Sequence, residues 1–79
     1  GMSEDNRLRR FFISEREVIN VLEGRVRVRF DLPDDVRVVA VYHDYTCRGI
    51  AVVVRSAQFE PVPDGEVIPA LPPLLMETI

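Results

Sequence analysis

Two runs, Val38-Val39-Ala40-Val41-Tyr42 and Ile50-Ala51-Val52-Val53-Val54, contain no charged residue at any position. β-Branched side chains dominate both, so both read as strands. Successive side chains of a strand point to opposite faces of its sheet, and a strand with one wetted face alternates apolar with polar residues. These two do not alternate. Each therefore needs cover on both faces, and that need constrains the fold more than any other feature of the chain.

Little of the chain is left over to supply the cover. Its 79 residues make one domain, and a domain of that size buries only about 60% of its unfolded surface. Help from a metal, a disulfide or a partner chain would be unsurprising. Ser14-Glu15-Arg16-Glu17 fits the capping box that opens a helix. Val18, Ile19, Val21 and Leu22 give that helix one apolar face, and Gly24 is placed to end it. Strands are predicted over 25–31, 36–43 and 49–56. Leu32-Pro33-Asp34-Asp35 joins the first two, with proline in the favoured second position of a type I turn, and residues 44–48 join the last two. The expected fold class is α+β, one short N-terminal helix packed on a three- to four-stranded antiparallel meander with an extended Pro-rich C-terminal tail.

In that meander Val26 and Val28 lie opposite Val41 and Val39, which face Ala51 and Val53, and the helix covers this side. Arg25-Val26-Arg27-Val28-Arg29-Phe30 alternates strictly, so three guanidiniums share the other side. There Arg25, Arg27 and Arg29 lie beside Val38, Ala40 and Tyr42, followed by Ile50, Val52 and Val54. This second face is the candidate binding surface. A one-residue slip in either hairpin would exchange the faces of a strand.

Cover for the second face can come from the 8–13 segment, from the C-terminal segment or from another copy of the protein. Pro61, Pro63, Pro69, Pro72 and Pro73 punctuate the end of the chain among Val62, Val67, Ile68, Leu71, Leu74, Leu75 and Met76. That composition predicts an extended segment that is too apolar for a linker. The expected organisation is an α+β domain over 8–66, an apolar Pro-rich tail over 67–79 docking on its own or a partner's sheet, and a flexible stretch over 1–7. Gly1 ahead of Met2 reads as a cloning scar.

Chemistry is sparse. His43-Asp44-Tyr45-Thr46-Cys47 gathers an imidazole, a carboxylate, a phenol and a thiol in one hairpin loop. His43 could approach Cys47 closely enough to lower a thiol pKa. With one histidine and one cysteine, a zinc site would need Asp44 or a second subunit, and an ordinary polar hairpin loop is the favoured reading of the cluster. His43, Asp44 and Cys47 are the possible site loop; no catalytic residue, metal or cofactor is assigned. Asp34-Asp35 lacks the alternating ligands and central glycine of a calcium loop. No phosphate-cradling glycine loop, dinucleotide fingerprint or serine nucleophile elbow occurs.

The chain holds ten arginines and no lysine, yet its net charge is −3. Such a balance argues against a nucleic-acid partner, which favours a basic surplus. A GC-rich genome explains the arginine usage better than selection for bidentate contacts, since a functional need rarely removes lysine everywhere. The single cysteine excludes an internal disulfide, and with no signal peptide or long apolar run the expected location is the cytoplasm, without membrane contact.

Val54-Arg55-Ser56-Ala57-Gln58-Phe59-Glu60-Pro61-Val62-Pro63-Asp64-Gly65-Glu66, with Leu32-Pro33-Asp34-Asp35-Val36 before it, resembles short uncharacterised bacterial and phage proteins. In those a last strand runs into a serine, an aromatic and a proline-valine-proline turn. The resemblance implies a small α+β domain of unknown function and carries no catalytic residues. The leading expectation is a non-enzymatic interaction module that forms a homo-oligomer, a dimer first. The alternatives are a small-ligand or nucleic-acid binder using the Arg25, Arg27 and Arg29 strand face, and a thiol enzyme using the 43–47 loop.

Overall fold

A computed structural model of the chain describes residues 6–46 and 48–79. The order of elements is β1 (Leu8–Ser14), α1 (Glu15–Leu22), β2 (Val26–Arg29), β3 (Arg37–Asp44), β4 (Gly49–Arg55) and β5 (Leu75–Thr78). The class is α+β, with one helix and antiparallel strands in two small sheets.

Helix α1 starts and stops where its capping residues dictate. The Ser14 hydroxyl accepts the Glu17 amide at 3.1 Å, and the Glu17 carboxylate accepts the Ser14 amide at 2.9 Å. Both halves of the capping box are thus made. At the other end Gly24 takes a left-handed φ of 76°. Its amide donates to the Val21 carbonyl while the Arg25 amide donates to Asn20. These two bonds are the Schellman closure, which glycine permits because it has no Cβ to clash.

β4 is the central strand of the larger sheet, which runs in the order β1-β4-β3. Phe11 pairs with Val52 and Ile13 with Ile50 on one side, and Val41 pairs with Val52 and Tyr42 with Ala51 on the other. Central position explains the continuous apolar run: among the described residues the buried apolar side chains are Ala51, Val52, Val53, Val54 and Val62. Val54 is 1% exposed.

The expected meander is not formed. β2 pairs with β5, Arg27 opposite Glu77 and Val28 opposite Met76, in a separate two-stranded sheet. Residues 30–36 therefore form a connection rather than a tight hairpin. Asp35 anchors it, accepting the buried Ser56 hydroxyl at 2.5 Å and the Ala57 amide at 3.0 Å. Both bonds favour the carboxylate, and they hold the Asp35 carboxyl below its ordinary value of 3.8. The β3–β4 register also differs from expectation. It shifts between Val38 and Ala40, so Val39 is the extra residue of a bulge. Val38 consequently shares a face with Val41 and Val54, while Tyr42 shares the opposite face with Ala40 and Ala51.

Residues 56–74 return along the outer edge of β1. The Arg10 amide donates to Pro69 O and the Leu71 amide to Arg10 O, forming a single parallel bridge between Arg10 and Ala70. Prolines offer carbonyls without amides, and arginines of the first strand region supply the missing donors. Arg7 Nη1 reaches Phe59 O at 2.6 Å, Arg9 Nη1 reaches Glu60 O at 3.0 Å, and Arg10 Nε reaches Ile68 O at 2.8 Å. One edge of the larger sheet is thereby occupied.

Candidate functional site

The other edge is β3, and it is exposed along almost its whole length. Val38, Val39, Val41 and Tyr42 are 63%, 55%, 59% and 50% exposed. Val38 and Val41 point to one face of the sheet and Ala40 and Tyr42 to the other, so both faces of the strand are apolar and bare. Among the described residues, β3 is bonded to β4 on one side only. Its outer amides and carbonyls form an open ladder, which a soluble edge strand usually guards with charge, proline or a bulge. Here the guards are the Val39 bulge and the terminal Arg37 and Asp44. Nothing charged stands between them.

A second apolar surface lies between α1 and the β2–β5 pair. Ile13, Val18, Val21, Val26, Val28 and Phe30 line an open groove of about 510 Å³, with Leu22 and Ile79 on its walls. Leu22 is 81% exposed. Phe30 closes one end against Phe11, their rings edge to face with centroids 6.1 Å apart.

The sequence-predicted binding face divides between these places. Val38 and Tyr42 are exposed on β3 but on opposite faces, while Ile50 is half-buried and Val52 and Val54 are interior. The three arginines belong to the other sheet. Arg27 and Arg29 both meet the Glu77 carboxylate, at 3.5 and 3.2 Å, and Arg25 meets Glu23 at 3.5 Å. The guanidinium strand and the β3 surface are thus not continuous. Val39 and Val41, assigned by the meander to the helix-covered side, are instead among the most exposed apolar residues. The unbroken apolar run was their signal.

The hairpin loop holds less chemistry than its composition offered. The His43 and Tyr45 rings stack edge to face with centroids 4.3 Å apart. Asp44 Oδ1 accepts the Thr46 amide at 3.0 Å, an Asx turn. Arg48 takes a left-handed φ of 53° to bring the chain back into β4. Cys47 lies outside the described residues. No group of three or more His, Cys, Asp or Glu able to hold a metal is found among the described residues. No helix among them is long and apolar enough to cross a membrane.

No protein-family model, curated protein or solved structure matches the chain. The surface itself is what a functional reading must work from.

Proposed function

We propose that the protein is a non-enzymatic interaction module of the cytoplasm that works as a homo-oligomer, with the dimer as the unit. The observation that carries this reading is β3, an eight-residue strand with bare apolar side chains on both faces. Burying a valine contributes roughly 1.5–3 kcal/mol, and a small domain with so few interior side chains is poorly able to forgo three of them. Static light scattering from low micromolar to millimolar concentration tests it. A mass of twice the chain at high concentration is expected; the monomer mass throughout would refute the reading.

The runner-up is a small apolar ligand in the α1 groove, favoured by its nearly unbroken apolar lining with Arg27 at the rim. Saturable binding of a fluorescent fatty acid, lost in Val21→Arg, would distinguish it. The nucleic-acid variant of that reading is weakened because Glu77 already meets Arg27 and Arg29.

A further inference from the structure

We infer that β3 pairs edge to edge with β3 of a second copy, antiparallel about a two-fold axis beside Tyr42, to make one sheet in the order β1-β4-β3-β3-β4-β1. The inference rests on the homo-oligomer reading and names its surface and register.

The occupant follows from the edges. The larger sheet has two, and the chain fills the β1 edge with its own residues 69–71. Among the described residues, β3 is the edge of that sheet left to pair outward. A second β3 offers the same open ladder and a closed two-fold assembly that leaves the larger sheet no further edge of this kind.

The register follows from the bulge. From Ala40 to Asp44 the pairing with β4 runs without interruption, and the shift comes just before it. Residues of a regular strand aim their amide and carbonyl alternately to its two sides, so a strand meeting its own copy matches residues of equal parity. The axis must then pass beside a residue. Beside Tyr42 it uses the whole regular segment: Tyr42 faces its copy, Val41 faces His43, and Ala40 faces Asp44. Such an axis is perpendicular to the sheet, so each face continues across the joint.

Charge agrees with that choice. Arg37 follows Ala40 on the same face as Asp44 and Tyr42. In the proposed register the second copy's Asp44 is the diagonal neighbour of Arg37, roughly 7–8 Å away between backbones and within an arginine's reach. The two-fold axis makes this contact twice.

The test is a single-cysteine scan of Ala40, Val41, Tyr42, His43 and Asp44 in full-length Cys47→Ser protein, with disulfide-linked dimer measured after mild oxidation. Separation of equivalent positions grows by about 7 Å per residue from the axis, while a disulfide spans Cα atoms only ~4.4–6.8 Å apart. Cross-linking is expected to peak at Tyr42→Cys and fall to background at Ala40→Cys and Asp44→Cys. Arg37→Glu, a surface change checked for retained circular dichroism, is expected to raise the dimer dissociation constant several-fold at low salt. A dimer by light scattering that cross-links elsewhere or evenly along β3 overturns this inference and leaves the homo-oligomer reading standing. A monomer at every concentration overturns both.

Discussion

Gly49 is where the larger sheet tolerates least. It opens β4 opposite Ser14, the residue that caps α1. A methyl group added there would collide with the Ile13 carbonyl oxygen and lie 2.5 Å from Phe12 Cζ. The phenyl ring is half out of the sheet and can swing away. The carbonyl is backbone of β1, where Ile13 pairs with Ile50, and cannot move without dragging the cap. Relief requires β1 to shift by the better part of an ångström at the joint between strand and helix. Overpacking of this kind costs about 1–3 kcal/mol, and a backbone obstacle places Gly49→Ala at the upper end. In a domain of this length 2–3 kcal/mol lowers Tm by roughly 10–20 °C. Differential scanning calorimetry of both proteins at one concentration measures it, since a dimer's apparent stability depends on concentration. A Tm within about 3 °C of wild type would refute the close β1–β4 approach.

Three further expectations concern the junctions of the fold. The Asp35 carboxyl is held below its ordinary value first by the Ser56 hydroxyl and then by the Ala57 amide. A depressed folded pKa gives stability that is full above the unfolded value of 3.8 and is lost as pH falls through the folded value. Asp35→Asn should therefore be less stable than wild type at pH 7 and converge with it as pH falls below 3.8 and through the folded value; parallel urea-denaturation profiles over that range would contradict the anchoring role. Gly24→Ala meets no atom within 4 Å, so its cost is backbone strain alone, about 1 kcal/mol in chemical denaturation, and an unchanged midpoint would deny the Schellman closure. Glu77→Gln removes two exposed ion pairs and should cost less than about 1 kcal/mol, vanishing at high salt; a larger, salt-independent loss would show that the carboxylate is structural.

Local signals in the sequence were read well, and partner choice was not. Ser14, Glu17 and Gly24 marked both ends of α1 because caps act within one turn of chain. The run from Ile50 to Val54 marked a strand covered on both faces, and β4 is that strand. What periodicity cannot encode is which strand lies beside which. Arg25 to Phe30 alternates correctly for β2, but nothing local says that its partner lies some fifty residues on, in Leu75–Thr78, rather than across the Pro33 turn. Asp35 closes that connection through Ser56, a long-range contact that turn chemistry alone does not reveal. The bulge at Val39 was equally silent, since Val38-Val39-Ala40-Val41 is apolar in either register. For the candidate surface, the need for cover was legible and its location was not: the need falls on β3, and the arginine strand stands apart from it.

Pairing at the β3 edge is most directly measured by amide hydrogen exchange of β3 as a function of protein concentration. The outer amides of an unpaired edge strand exchange with solvent, whereas those in a β3–β3 ladder are protected in proportion to the dimer population. Protection of the alternate, outward-facing amides within residues 40–44 that rises with concentration and disappears on dilution, with β4 unchanged, is the predicted result. Amides of β3 that exchange at the same rate at every concentration would contradict it.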